Sequence, residues 1–230
     1  MKNARLHIVG FFIAMAVVVL APNASGGKFP EGFSVLPSSV SPDGRYAVLV
    51  PDYEHYKVDV PQNKLVDTNT GRVIAVIEAE PGMENMNHGG AVAAWSKDGS
   101  LLHWMVEGKW FPRAKVLIKM NEGTALWQTN VLKEAQREIL ARARKAKPIN
   151  YAAAMKANKG NSPAYPDGFT VNVESARDGR TPVLPFAVVV TLTANPKEIE
   201  SFPRRAELNA ELKATVDADG NFKVTKFTVN

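Results

Sequence analysis

The stretch that decides the fold is Ala206-Glu207-Leu208-Asn209-Ala210-Glu211-Leu212-Lys213-Ala214-Thr215-Val216, in which every second residue is apolar. A two-residue period places alternate side chains on opposite faces of a strand, so one face is buried and the other is solvated. Leu208 and Leu212 are therefore expected in the core. Asp219-Gly220 follows, and because both residues tolerate a positive φ, a hairpin turn is expected there.

Three further segments extend this predicted sheet. Apolar and polar residues alternate over residues 169–173, and over residues 186–192 the large apolar residues Phe186, Val188, Val190 and Leu192 occupy every second position. Over residues 222–229 the alternation changes phase, which predicts a β-bulge near Thr225-Lys226. Residues 160–230 are therefore expected to form a four-stranded antiparallel sheet with one solvated face.

A helical pattern precedes this sheet. Apolar residues recur at helical spacing from Trp127 to Ala143, Thr124 is a suitable N-cap, and Pro148 marks the end of the helix. A second, shorter helix is predicted over residues 151–157. Residues 124–159 are thus expected to be a basic helical segment whose long helix packs on the buried face of the C-terminal sheet.

The first half of the chain contains a repeated turn. Ser41-Pro42-Asp43-Gly44-Arg45 and Ser96-Lys97-Asp98-Gly99-Ser100 each lead into an apolar strand. Some 20–25 positions later, each copy has a second apolar strand that ends in a polar turn with glycine, at Asp67-Thr68-Asn69-Thr70-Gly71 and at Asn121-Glu122-Gly123. A repeat of this kind is typical of propeller blades or of another β array.

Residues 33–123 resemble the repeats of TolB-like β-propellers, in which a Ser-x-Asp-Gly turn joins two strands of a blade and an Asp-x-x-x-Gly turn closes the next hairpin. The resemblance implies two propeller-blade-like antiparallel sheets within residues 28–123. Because a closed propeller needs at least four blades, two such sheets must pack on each other or on the C-terminal part. The expected fold is mainly β (α+β): two blade-like sheets, then a long helix packed on a four-stranded antiparallel sheet.

The N-terminus has the pattern of a secretory signal. Lys2 and Arg5 precede an apolar run over residues 8–21, and small residues follow. We predict that residues 1–24 are a signal peptide and that the body is periplasmic or secreted by bacterial-type export. An uncleaved membrane anchor is the alternative, although the run is shorter than the about 20 residues that a span needs. The chain has no cysteine, which excludes disulfides, thiol catalysis and thiolate metal sites.

The positive charge of the chain is concentrated in one segment. The whole chain carries +5, and residues 133–159 contain eight basic and two acidic residues, which gives +6. One interpretation is a contact of Arg142, Arg144, Lys145 and Lys147 with an anionic membrane surface. The other is a solvated helix face with cations near the C-terminal end of the helix dipole. Export argues against nucleic acid, and no aromatic residues interleave with the charges.

No pattern predicts a metal, a cofactor or a catalytic nucleophile. His55, His88 and His103 lack the spacing of a metalloprotease motif, and there is no Gly-x-Ser-x-Gly sequence. Asp52, His55 and Asp59, or Glu84 and His88, supply too few ligands for a closed metal site. Asp217-Ala218-Asp219-Gly220-Asn221 resembles part of a calcium loop, but strand alternation follows directly, so a hairpin turn is expected.

Aromatic residues provide the candidate site. Tyr53-Glu54-His55-Tyr56 and Lys109-Trp110-Phe111-Pro112-Arg113 are predicted hairpin tips, where exposed aromatics favour binding, whereas buried aromatics would belong to the core. The expected function is a non-enzymatic module that binds a protein or a cell-envelope polymer. The alternative is a hydrolase or other enzyme around His55, His88 and His103, which two histidines and a carboxylate in one cleft would favour. The predicted binding residues, together with the loop 81–90, are Tyr53, His55, Tyr56, His88, Trp110 and Phe111.

Overall fold

The structure is a computed structural model that describes residues 29–59, 61–84, 86, 89–109, 111–157, 165–175, 181–194 and 207–230. Within these ranges the chain is mainly β, as predicted, and forms three antiparallel four-stranded sheets. The predicted signal peptide, His88 and Trp110 lie outside the described residues. No helix in the described ranges combines the length and the apolar character that crossing a membrane requires.

The first sheet contains four strands in chain order, with one short helix between its second and third strands. This helix, α1, occupies the position for which a hairpin tip was predicted at Tyr53, and that prediction is wrong. The Tyr56 N–H donates to the Asp52 carbonyl at 2.8 Å, so the chain closes a helical turn as soon as the strand ends. The elements are β1 (Phe33–Val35), β2 (Tyr46–Pro51), α1 (Tyr53–Asp59), β3 (Lys64–Asp67) and β4 (Val73–Val76).

The second sheet also follows chain order, and its last strand corrects the predicted start of the long helix. Residues Thr124–Asn130 are a strand, not a helical turn, because Glu122 (φ 45°) and Gly123 (φ 84°) reverse the chain onto the preceding strand. The helix begins at Val131, and the Asn130 side chain caps it by accepting the Lys133 N–H at 3.0 Å. The strands are β5 (Gly90–Trp95), β6 (Leu101–Glu107), β7 (Pro112–Asn121) and β8 (Thr124–Asn130).

The two Ser-x-Asp-Gly turns have the same hydrogen bonds. In the first, the Ser41 hydroxyl donates to Asp43 Oδ1 at 2.6 Å and accepts the Tyr46 N–H at 2.9 Å. Gly44 has a φ of 73°, which only glycine adopts without strain. Each turn leads from the first to the second strand of its sheet. The second copy repeats these features at Ser96, Asp98, Gly99 and Leu101.

Two helices connect the second sheet to the third. They are α2 (Val131–Ala146) and α3 (Pro148–Ala157), so Pro148 separates them, as predicted, and α3 starts three residues earlier than expected. The third sheet has the order β12-β11-β10-β9. Its strands are β9 (Phe169–Ser175), β10 (Phe186–Ala194), β11 (Asn209–Val216) and β12 (Phe222–Val229).

The alternation of the C-terminal stretch is confirmed by burial. Leu208 and Leu212 are both fully buried, and β11 alternates between exposed and buried positions. The predicted bulge is also present, because Lys213 pairs with Lys226 while Ala214 pairs with Val224. Thr225 is the extra residue, and its hydroxyl donates to the Lys213 carbonyl at 3.0 Å.

The second sheet is the central layer of the molecule. Its strand β6 is buried along almost its whole length, which requires cover on both faces. Trp104 on one face belongs to a core shared with Val48 of the first sheet. Leu101 on the other face belongs to a core shared with α2, α3 and the third sheet, including Ile139 and Leu212. Two separate hydrophobic cores therefore flank one sheet.

A side-chain junction joins strand β8 to the hairpin between β11 and β12. The Trp127 indole N–H donates to the Ala218 carbonyl at 3.0 Å, and the Thr129 hydroxyl donates to the Gly220 carbonyl at 2.6 Å. Gly220 has a φ of 83°, and a Cβ built on it would lie 2.7 Å from the Trp127 ring. This junction fixes the C-terminal sheet to the central sheet.

We predict that Gly220→Ala destabilises the protein by about 2 kcal/mol or more, through backbone strain at positive φ and the clash with Trp127. Gly44→Ala is the matched control, because Gly44 has a similar φ of 73° and no atom within 4 Å of a built Cβ. Urea denaturation of both variants separates strain from clash. Equal losses in the two variants would show that the Trp127 contact contributes nothing.

Candidate functional site

The predicted binding segments lie at one end of the first two sheets. Register places the end of β2 beside the start of β3, and the end of β6 beside the start of β7. Helix α1 and the turn around Phe111 therefore make the same connection, from second to third strand, in their two sheets. The segment that follows β4 leads to the start of β5, which pairs with the end of β6. We call α1, residues 77–84 and the turn around Phe111 the loop end.

Asn63 ties this end together. Its side chain is 1% exposed, its Nδ2 donates to the Gly82 carbonyl at 2.8 Å, and its Oδ1 accepts the Gly82 N–H at 2.8 Å. The amide thus pairs with the backbone of residues 77–84 in the way that a neighbouring strand would. Arg113 at the start of β7 forms an ion pair with Glu80 in the same segment. Sequence analysis missed both contacts, because the partners are 19 and 33 residues apart.

Gly89 brings the end of this loop against the central sheet. A Cβ built at Gly89 would lie 2.0 Å from the Glu107 carbonyl oxygen, so only glycine allows this approach of the two backbones. The preceding segment is attached as well, because the Ala91 N–H donates to the Met83 carbonyl at 2.9 Å. At its start, the Ile77 N–H donates to the Asn63 carbonyl at 2.9 Å, so backbone contacts hold both ends of the segment that joins the two sheets.

The predicted aromatic residues differ in their exposure. Tyr53 is 59% exposed, and the Lys57 ammonium lies 4.0 Å from the centre of its ring. His55 and Tyr56 are half-buried, and the His55 ring meets the Phe33 ring edge-on at 5.4 Å. Tyr53 is consequently the aromatic side chain of α1 that is available to a partner.

Phe111 has a structural contact. Its ring meets the Tyr165 ring edge-on at 5.4 Å, and both side chains are half-buried. The turn between β6 and β7 occurs where a hairpin tip was predicted. Since Trp110 and His88 lie outside the described residues, the structure leaves their roles as predictions.

The described histidines do not share a cleft. His103 is fully buried on β6, and its ring meets the Phe186 ring at 4.9 Å on the side of the third sheet. His55 lies against Phe33 of the first sheet, so the central sheet separates the two imidazoles. In the part of the chain that the structure describes, no group of three or more His, Cys, Asp or Glu residues is placed to hold a metal ion.

A cleft of about 760 Å³ lies beside the second Ser-x-Asp-Gly turn and is bounded by residues 181–184. Its polar groups already bond to one another. Asp98 accepts the Ser96 and Ser100 hydroxyls, at 2.5 and 2.8 Å, and these bonds lower the pKa of Asp98 to about 2. The Lys119 ammonium donates to Ser100 Oγ at 2.8 Å and also favours the ionised Asp98. These polar groups therefore stabilise the turn itself.

A second polar cluster anchors the turn before β9. The Tyr151 hydroxyl donates to Asp167 Oδ2 at 2.5 Å, and Arg144 donates to the same oxygen at 2.8 Å. Burial and the Asp167 carboxylate raise the pKa of Tyr151, so the phenol stays protonated. A tyrosine held in this form is a hydrogen-bond donor and a poor general base, which indicates a structural role.

The hairpin turn predicted at Asp217 is confirmed. Asp217 Oδ1 accepts the backbone N–H groups of Asp219 and Asn221 at 3.0 and 2.9 Å. Lys223 lies 2.6 Å from the other carboxylate oxygen, and its ammonium holds the pKa of Asp217 well below the usual range. The carboxylate is thus used by the turn itself.

Two of the four cations in the predicted membrane contact form ion pairs within the protein. Arg142 pairs with Glu138 at 3.3 Å, and Arg144 pairs with Asp167 at 2.8 Å. Among the described residues, no carboxylate lies within ion-pair distance of Lys145 or Lys147. Of these four cations, the two without a described carboxylate partner therefore lie where α2 ends and α3 begins.

No family model matches the chain, and no curated protein matches it. The site is therefore interpreted from its own geometry.

Proposed function

We propose that the chain is an exported, non-enzymatic module that binds a partner through the loop end, with its first two sheets acting as blade-like units. The observation that supports this most is the placement of an exposed tyrosine on a rigid frame. Tyr53 is 59% exposed on α1, whose His55 ring packs against Phe33 of β1. Asn63 and the Glu80–Arg113 pair hold the segment 77–84 of the same loop end in place. A surface that is ordered before binding loses less entropy when a partner docks.

The composition of the loop end favours a protein partner over a polymer. Tyrosine and arginine are enriched at protein interfaces, where each combines an apolar body with a hydrogen-bonding end. Charges of both signs surround Tyr53, because Glu54 and Lys57 on α1 lie 3.8 Å apart. An interface with both signs of charge suits the mixed surface of a protein better than a uniformly charged polymer.

The alternative of an enzyme receives less support. It requires at least two of His55, His88 and His103 near one carboxylate. His103 is fully buried and the central sheet lies between it and His55, so those two cannot act on one substrate. A site that combines His88 with either of them stays a prediction.

The test is capture of envelope proteins by the purified, tagged chain, followed by cross-linking and quantitative mass spectrometry. We expect Tyr53→Ala to lose a captured protein by roughly thirtyfold, the effect of removing an interface residue worth about 2 kcal/mol. Leu126→Ala is the matched control, because Leu126 is 57% exposed on strand β8, outside the loop end. We expect this control to retain capture.

Two outcomes would contradict the proposal. One is equal capture by wild type and Tyr53→Ala, and the other is an equal loss in Tyr53→Ala and Leu126→Ala. A parallel sedimentation assay with purified cell-wall polymer tests the polymer class. Sedimentation that depends on Tyr53, without capture of a protein, would move the assignment from protein to polymer.

A further inference from the structure

Helix α3 has apolar side chains that stay exposed in the part of the chain that the structure describes. Tyr151 and Ala154 pack into the C-terminal core, with 2% and 0% exposure. Outside this core contact, Ile149 is 74% exposed and Met155 is 43% exposed, with Ala152 also exposed. At 3.6 residues per turn, residues 149, 152 and 155 span an arc of about 120°, and the exposed Lys156 projects within that arc.

This face is unusual for a soluble helix. A surface helix normally has one apolar stripe toward the core and a polar face toward water, and a helix that is apolar all round is normally buried. In α3, Asn150 and Lys156 are the only amide and charged side chains among ten residues. The Asn150 amide donates to the Glu207 carbonyl at 3.3 Å, at the surface.

Three lysines lie within or beside this exposed face. Lys145 and Lys156 are exposed and Lys147 is half-buried. No carboxylate of the described residues is within ion-pair distance of these three, whereas the nearby Arg142 and Arg144 are paired with Glu138 and Asp167. We call the following residues the α3 patch: Lys145, Lys147, Ile149, Ala152, Met155 and Lys156.

We propose that the α3 patch is a membrane-contact surface, in which the lysines bind anionic lipid headgroups while Ile149 and Met155 enter the boundary between headgroups and acyl chains. Apolar side chains next to uncompensated lysines are the pattern by which interfacial helices bind anionic bilayers. The long lysine stems keep their ammonium groups at the headgroup level while the apolar residues insert. The patch contains no acidic residue and offers no acceptor side chain to a protein partner.

The contact is weak and reversible, because it has two large apolar residues and three cations. Each lysine near an anionic surface contributes about 1 kcal/mol, or roughly fivefold in partitioning. The inference uses no residue of the loop end, so it stands or fails independently of the proposed function. It also moves the predicted membrane contact away from Arg142 and Arg144, whose charges are used within the protein.

Co-sedimentation with vesicles tests the proposal. Vesicles of phosphatidylcholine and phosphatidylglycerol in equal amounts are expected to bind the wild-type protein at low salt, and pure phosphatidylcholine vesicles are not. The double substitution Ile149→Ser with Met155→Ser is expected to lower partitioning by roughly tenfold or more, because both wild-type side chains leave water on insertion. Lys145→Gln, Lys147→Gln and Lys156→Gln are expected to lose roughly fivefold each.

The matched control is Leu126→Ser with Lys226→Gln, which removes one exposed apolar residue and one exposed cation elsewhere. Ile149 and Met155 are both exposed, so the variant with serine at both positions should keep the wild-type melting temperature. Equal binding to both kinds of vesicle, or equal losses in the control and the α3 variants, would overturn the proposal.

The absence of cysteine allows a second, independent readout. A single cysteine at position 149, made as Ile149→Cys and labelled with an environment-sensitive dye, is expected to show a blue shift when phosphatidylglycerol vesicles are added. The same label on Leu126→Cys is expected to show none. A shift at position 126 but not at 149, or none at either, would overturn the proposal. A shift at 149 alone supports it.

Discussion

Leu212→Asp is expected to abolish cooperative folding of the C-terminal layer. Leu212 is fully buried in the centre of β11, between Val190 on β10 and Phe227 on β12. Removing its side chain alone costs about 2–5 kcal/mol, and an unpaired carboxylate in an apolar core adds several more. That sum is comparable to the whole stability of a typical domain, about 5–15 kcal/mol. Near-ultraviolet circular dichroism during thermal unfolding measures the loss.

Thr193→Asp is the matched control for this substitution. Thr193 is exposed on β10 and pairs with Asn209 of β11, so the same charge enters the same sheet on its solvated face. We expect a change in stability within about 0.5 kcal/mol, the usual range for surface positions. Wild-type melting of Leu212→Asp, or equal damage in both variants, would contradict the assignment of the two faces.

Asn63→Leu is expected to destabilise the protein by about 2–6 kcal/mol, although leucine has the same number and branching of side-chain heavy atoms as asparagine. The substitution leaves the N–H and carbonyl of Gly82 without their side-chain partners at a buried position. Each buried polar group that loses its partner costs about 1–3 kcal/mol. Urea denaturation measures the total, and amide hydrogen exchange of residues 77–84 shows where the loss occurs.

Asn69→Leu is the comparison for Asn63→Leu. Asn69 is exposed in the turn between β3 and β4, and its backbone N–H, which donates to Asp67, is kept in the variant. We expect little change in stability there. If exchange in residues 77–84 accelerates equally in both variants, or in neither, Asn63 does not hold the loop end together.

The third sheet was predictable because its signal is local. In β11 each buried residue lies two positions from the next, and the hairpin at Asp219-Gly220 follows directly, so neither feature needs knowledge of distant contacts. The bulge at Thr225 was also visible as a change of phase within one strand. The two Ser-x-Asp-Gly turns were found for the same reason, since the hydrogen bonds that the Ser41 and Ser96 hydroxyls make within each turn span at most five residues.

The errors arose where tertiary contacts override a local pattern. Trp127 fits the helical spacing of the residues that follow it, yet it lies on a strand because the Glu122-Gly123 turn pairs that strand with β7. Likewise, α1 forms where a turn pattern favoured a hairpin tip. Periodicity cannot separate a helix from a strand when a strand of seven residues directly precedes a helix.

The exposure of the candidate residues was only partly predictable. Tyr53 was identified as a binding residue and is exposed, whereas Phe111 was identified by the same reasoning and packs against Tyr165. The hydrogen bonds between Asn63 and Gly82 and the exposure of apolar residues on α3 had no signal in the sequence. An asparagine is ordinary at a loop, and the composition of α3 does not tell which of its sides the fold covers.

Site-specific photo-cross-linking at position 53 tests the central claim most directly. A benzophenone amino acid replaces Tyr53 in one version of the protein and Leu126 in another, and both are irradiated in cells that produce the chain. Binding through the loop end predicts a discrete protein adduct from position 53 and none from position 126. An adduct from position 126 without one from position 53 would contradict the account.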